Sequence, residues 1–392
     1  MDIKKEALEL QPFLIEFRHD LHMHPELSMQ EFRTTEQFVK KLEEWGIAYQ
    51  RFDPTGLMTE LAGKSDGPLV LLRADIDALP IQETTGLPYA SQTEGIMHAC
   101  GHDTHGTMLL GALKILNEHR EELPGRVRFV FQPGEENGEG AQTVIAQGAA
   151  KDADLCFGIH SAPDYQVGSI GCCPGPALAA TTWFGITVHG KAAHGATPQE
   201  SCDALTAMCQ VVSSLQSIVS RRVPAQWPLV VSIGKINGGT AFNIIPDTCS
   251  IEGTCRYFER ELNEKIPALL KEVAENVAAA YGCTAEVQFK LHTQPVINDV
   301  SVMEIVAESA EKILDSPELL FDYPQIMAGD DFGDFGNAAP SAYYFLGGGG
   351  HGPGHNGNFY VEDDMLSIGA AMYAQVAVDA LKKLAKTSDS FL

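Results

Sequence analysis

Apolar runs of strand length alternate with amphipathic helical stretches along much of the chain, and several of those runs end abruptly in charge. "LVLLRADIDALP" is apolar from Leu69 to Leu72 and then turns to Arg73, Asp75 and Asp77. "RVRFVFQPGEENGEG" runs from Val127 to Phe131, breaks at Pro133 and Gly134, and continues with Glu135 and Glu136. "DLCFGIHSAP" leads from Leu155 to Ile159 into His160, and "SAYYFLGGGG" leads into "HGPGHNGNFY", with His351 and His355. After "MHACGHDTHGT", residues 97–107, the positions Met108, Leu109, Ala112, Leu113, Ile115 and Leu116 recur at helical spacing and predict a helix. Strand alternating with helix is the pattern of an α/β domain with a mostly parallel central sheet. In such sheets the ligand crevice lies beyond the carboxyl ends of the strands, where this chain gathers metal-binding and acid-base side chains.

The middle of the chain has a different rhythm. "TTWFGITVHGKAAHGATPQESCDAL" reads as an alternating strand, a loop and a helix start, and "PLVVSIGKINGGTAFNIIPDTCSIEGTCRYF" as two or three strands with turns between them. "ERELNEKIPALLKEVAENVAAAYG" predicts a helix ending at Gly282, followed by the strand "CTAEVQFK". The order strand, helix, strand, strand, helix, strand predicts a smaller α+β domain of ferredoxin-like type over residues 179–290, inserted into a discontinuous domain of residues 1–178 and 291–392.

Composition narrows the function classes. A chain of 392 residues, 44% hydrophobic and 20% charged, is long enough for two cores and too apolar to stay disordered. Lys and Arg number 27 against 52 Asp and Glu, a net charge of −25, so a basic field for nucleic acid or anionic membrane is excluded. The N-terminus "MDIKKEALELQPFLIEFRHD" has no apolar signal core and no run reaches membrane-spanning length, which points to a soluble, cytoplasmic protein. The nine cysteines lack the spacing of a disulfide scaffold, and Cys172, Cys173, Cys202 and Cys209 read as small buried apolar side chains.

"MHACGHDTHGT" is either a metal site or a polar loop. Imidazole, thiolate and carboxylate bind transition metals, and glycine lets neighbouring residues converge, but a single Cys-x-His is a weak signal. The wider set of motifs carries more. "RADIDALP", "MHACGHD", "FQPGEE", "GIH", "VHGKAAHGATP", "NIIPDTCSIEGTCR" and the terminal "GHN" resemble, in order and over nearly the whole chain, the M20 metallopeptidase and aminoacylase family, in particular its N-acyl-amino-acid amidohydrolases.

That resemblance implies two divalent metal ions per subunit, held by Cys100, His102, Glu136, His160 and His355, with His351 as the alternative to His355. Zinc suits thiolate and imidazole, while manganese, cobalt and nickel also accept carboxylate-containing sites. Two ions sharing a water lower its pKa and polarise the scissile carbonyl. The resemblance makes Glu135 the general base, His194 an oxyanion donor commonly supplied by the partner subunit of a homodimer, and Asn243 and Arg256 the anchors of the substrate carboxylate. It makes the inserted domain a lid or dimerisation domain. It implies cleavage of N-acyl amino acids, with a dipeptidase or carboxypeptidase as rival and a silent metal-binding dimeric scaffold as a further alternative.

Further residues read less directly. Asp77 is either an orienting carboxylate or a cap. Asp103 and His105 read as caps or supports, His98 as a satisfied structural histidine, and His19, His22 and His24 as a helix end. Asp330-Asp331-Phe332 departs from the family's usual Glu-Asp-Phe.

Overall fold

A computed structural model describes residues 1–64 and 67–389 and divides them into two compact units. The first comprises Met1–Ala177, Ile297–Gln325 and the chain from Asp331 onward; the second comprises Leu178–Val296 and Ile326–Asp330. No helix among the described residues is long and apolar enough to cross a membrane.

The first unit is a mixed α/β structure built on an eight-stranded sheet. From edge to edge its strands are Gln50–Arg51, Leu57–Ala62, Arg126–Gln132, Leu69–Asp75, Leu155–Ala162, Ser341–Gly347, Ile170–Cys172 and Leu320–Asp322. The central four, from Arg126–Gln132 to Ser341–Gly347, run parallel. Side chains alternate between sheet faces. Val70, Leu72, Ala74, Phe129, Phe157, Ile159, Tyr344 and Leu346 enter one apolar core with the helices Ile3–Met23, His102–Glu118, Val300–Ile313 and Met365–Asp389. The intervening positions put Arg73, Asp75, Gln132 and His160 on the opposite face. Register sets Asp75 beside Gln132 and His160 beside Phe345.

Two strands outrun their expected ends. Leu69–Asp75 continues past Leu72 and is buried throughout, and Leu155–Ala162 continues past Ile159, so that His160 lies within a strand. The charges do not stop the first strand because each finds a buried partner on the same face. The helix expected after residue 107 begins at His102, inside the motif.

The second unit is a four-stranded antiparallel sheet, ordered Leu229–Gly238, Thr248–Tyr257, Ala180–His189 and Thr284–Thr293, with the helices Ala204–Ser217 and Leu262–Ala280. This is the connectivity of a split β-α-β unit. Ala180–His189 alternates buried and partly exposed positions, sending Phe184, Ile186 and Val188 into a core of its own. Its chain boundaries differ from 179–290, because the segment Ile326–Asp330 returns to pair with it. Leu178 bridges Ile326, and the Ala179 N–H donates to the Ala328 carbonyl at 2.8 Å.

Candidate active site

Three segments of the first unit meet beyond the parallel strands. The approach of the first depends on Gly101, which precedes the helix His102–Glu118 with φ +89°, and whose absent Cβ would lie 2.4 Å from Ser161 Oγ. The close passage brings Cys100 Sγ to 3.5 Å from His160 Nε2. The turn after Arg126–Gln132 carries Glu135 and Glu136, and the C-terminal loop brings His355, whose N–H donates to the Ala99 carbonyl at 2.8 Å. Donor atoms of Cys100, His102 and His160 lie within 4.8 Å of one another; so do those of Cys100, Glu136 and His355, and those of His102, Glu135 and Glu136. Glu136 links the sets, with Oε2 at 3.3 Å from His355 Nε2 and Oε1 at 3.8 Å from His102 Nε2. His351 instead pairs with Tyr360 and belongs to none of these groups.

Asp77 orients two of the converging side chains. Its Oδ1 accepts from His102 Nδ1 at 3.1 Å, which turns Nε2 toward the cluster, and its Oδ2 accepts from the Glu136 N–H at 3.0 Å and the Ser28 hydroxyl at 2.6 Å. His160 Nδ1 donates to the Ser161 carbonyl at 2.8 Å, leaving its Nε2 for Cys100. Two buried atoms, His102 Nε2 and Glu136 Oε1, have no hydrogen-bond partner among the described residues. At 3.8 Å the two are too far apart to hydrogen-bond each other, and a cation between them would satisfy both once His102 has given up its Nε2 proton. The donor set therefore fits a metal centre.

Without a cation the electrostatics favour the protonated forms of these side chains, so metal binding would displace protons. Burial, reinforced by the Glu136 carboxylate, pushes the Cys100 thiol up to about 12, so without a cation it stays protonated. Burial opposes charge on His102, yet Asp75 and Asp77 outweigh it and raise this imidazole well above its ordinary value. Hydrogen bonding to Glu136 raises His355.

Beneath the cluster lies a buried ionic network. Arg73 donates to Asp75 at 2.6 Å, Asp331 at 2.7 Å and Gln132 at 2.8 Å, and Asp331 also accepts from Gln132 and from the Ala141 N–H. Asp75 holds His105 Nδ1 at 2.6 Å, and His105 Nε2 accepts from the Ser161 N–H at 2.9 Å. Removing one member would strand a buried charge, at a cost of about 3–5 kcal/mol. His105 is thus a support. Asp103 is not a cap; it binds Arg18 and His22 in a second buried ion cluster. His22 and His24 do lie at the end of their helix. His98 is buried and burial pushes it down to about 4, but neither ring nitrogen has a partner among the described residues, so it is not satisfied as expected. Cys172 and Cys173 are buried, Cys202 is partly buried, and Cys209 is exposed, contrary to its apolar reading. The Arg73-Asp75-Asp331-Gln132 network was not anticipated; the signal was an Arg and an Asp two apart in an apolar strand, and therefore on one face.

In the second unit, Ala193–His194 pairs with Ile244–Ile245, and the Gly195 N–H donates to the Asn243 carbonyl at 2.9 Å, bringing His194 and Asn243 together. Both are exposed. His194 Nδ1 accepts from the Ala196 N–H at 3.0 Å, which leaves the ring proton on Nε2. Arg256 lies on Thr248–Tyr257 between Thr181 and Val230. Burial lowers it from its ordinary value, and its guanidinium has no ion pair or hydrogen bond among the described residues.

Comparisons with known proteins agree with this geometry. The model of Peptidase family M20/M25/M40 matches residues 71–379. The chain is 39% identical over 373 residues to an N-acetylcysteine deacetylase of Bacillus subtilis (strain 168), covering 95% of this chain and 97% of the relative. It is 34% identical over 386 residues to thermostable carboxypeptidase 2 of Saccharolobus solfataricus, covering 96% and 97%. Among solved structures, the Bacillus subtilis YXEP protein, described as a dinuclear metal binding peptidase from the M20 family, is 36% identical with a TM-score of 0.85, covering 95% of this chain and 99% of that one. The ordered motifs, the sheet with its donors at the strand ends and these likenesses converge: the chain belongs to Peptidase family M20/M25/M40 and is a hydrolase of that family.

Proposed function

We propose that the protein is a metal-dependent amidohydrolase that cleaves the amide of N-acyl amino acids to a carboxylate and a free amino acid. The convergence of Cys100, His102, Glu136, His160 and His355 around two orphaned buried atoms carries this reading. These five residues would hold two divalent ions, zinc by the thiolate and imidazole donors, with manganese, cobalt or nickel as substitutes. When bound, such ions lower the pKa of water and polarise a carbonyl.

The remaining roles fall to the chain itself. Glu135 is buried beside Glu136, accepts the proton from water and delivers it to the leaving amine. His194, with its proton on Nε2, donates to the developing oxyanion. The unpaired Arg256 guanidinium, with Asn243, anchors the carboxylate of the amino-acid half; a half-buried cation without a counter-ion is suited to an anionic ligand. The reading includes a homodimer with His194 supplied across its interface by the second unit, and a cytoplasmic setting in which the nine thiols stay reduced.

A panel of N-acetyl and N-benzoyl amino acids, together with peptides bearing a free C-terminus, tests the proposal. Turnover on the N-acyl amino acids, abolished by chelation and restored by added metal, is expected. Cleavage confined to peptides would favour the carboxypeptidase alternative, and no turnover on any member would leave the scaffold reading.

A further inference from the structure

The segment "ELSMQE", Glu26 to Glu31, lies outside every motif used above, yet it grips the turn that carries both glutamates. Glu31 is fully buried. Its Oε1 accepts from the Gly134 N–H at 2.9 Å and from the Met29 N–H at 2.8 Å, while its Oε2 accepts from the Thr55 hydroxyl. Met29 adopts φ +62°, uncommon for a residue with a side chain, and its sulfur lies so close to Gly134 that a Cβ there would approach within 2.5 Å. Gly134, at φ +65°, is thus pinned from its N–H by Glu31 and from its open side by Met29. Burial, with Asp77 adding repulsion, pushes the Glu31 carboxyl up to about 7, so an acid is retained here at a desolvation cost that its donors offset only in part.

Glu136 has a separate support, its N–H bonded to Asp77. The backbone on either side of Glu135 is therefore tied to two different carboxylates, at Gly134 to Glu31 and at Glu136 to Asp77. We propose that Glu31 is a positioning residue for the acid-base step: through Gly134 it fixes the backbone entering Glu135, whereas Asp77 fixes the metal-binding partners His102 and Glu136. The proposal rests on the assignment of Glu135 as general base. A displacement of about 1 Å at a reacting group can lower a rate by roughly 10²-fold, so loosening this turn should act on kcat.

The experiment measures kcat, KM, metal affinity and melting temperature for Glu31→Gln, which keeps the volume and removes the charge that gathers the donors. At saturating metal, kcat is expected to fall by about 10–100-fold, with KM and metal affinity within about threefold of wild type. A purely structural role would lower the melting temperature and leave kcat of the folded, saturated enzyme intact, and that result would overturn the proposal. So would full recovery of kcat on adding excess metal. If Glu31→Gln does not fold, Gly134→Ala unseats the same turn from its other side and should show the same loss of kcat; wild-type kcat there is equally contradictory. Glu135→Gln run in parallel separates the two levels: if it too is active, the base assignment has failed, and if it alone is inactive, only the role of Glu31 has.

Discussion

The candidate residues of the two units are prepared in opposite ways. In the first unit three of the five candidate donors are held by hydrogen bonds before any ligand arrives: His102 by Asp77, His160 by the Ser161 carbonyl, and Glu136 through the Asp77 contact to its backbone N–H. In the second, His194 and Asn243 are exposed on a two-stranded ribbon, and Arg256 has no counter-ion. Groups that hold multivalent cations need preset geometry, since each misplaced donor leaves a buried charge uncompensated. Groups that meet the substrate can be left unpaired in water and gain their partner on binding. Preset hydrogen bonds thus mark the proposed metal-binding half, where His102 is buried, Cys100, Glu136 and His160 are partly buried and His355 is exposed, and open, unpaired donors mark the proposed substrate-binding half.

Substitutions on each side sharpen that contrast. His194→Ala should lower turnover by about 10²–10³-fold, the usual loss of an oxyanion donor, with metal content unchanged. Mixing it with inactive Glu135→Gln subunits should restore part of the activity if the donor crosses a dimer interface; mixed dimers without recovery would exclude that route. Asp77→Asn should instead weaken metal binding by about 10–100-fold, seen as a shift in a metal titration of stripped protein, while kcat at saturating metal is largely kept. Arg256→Ala should raise KM for an N-acyl amino acid roughly tenfold or more, since a hydrogen bond to a charged group is worth about 1.5–3 kcal/mol, and barely change KM for the carboxamide. Equal losses on acid and amide would remove Arg256 from carboxylate recognition.

Much of this was legible in the sequence because the chemistry sits where local patterns change. Apolar runs that turn to Asp, Glu or His marked the strands and the side of the sheet where the site gathers, though not the exact strand ends, and the strand-helix order marked the second unit. What local pattern could not show was compensation at a distance. Arg73 and Asp75 looked like the end of a strand because the partners of Arg73, Gln132 and Asp331, lie 59 and 258 residues away, and His105, the partner of Asp75, lies 30 residues away. The return of Ile326–Asp330 to the second unit includes the Ala179–Ala328 backbone bond and the Leu178–Ile326 bridge, and its short apolar run, Ile326 to Ala328, does not announce a partner so far back in the chain. Glu31 precedes the helix Phe32–Glu44, yet its side chain makes no cap bond there and turns to Gly134, 103 residues on.

The division of labour between adjacent glutamates is the core of the account, and paired variants measure it most directly. Metal per chain and turnover on an N-acyl amino acid would be determined for Glu135→Gln and Glu136→Gln prepared identically. The account predicts that Glu135→Gln keeps two ions per chain and loses about 10²–10⁴-fold in turnover, the usual worth of a general base, whereas Glu136→Gln loses metal and activity together. A Glu135→Gln protein with near-wild-type turnover, or one that loses its metal as Glu136→Gln does, would contradict it.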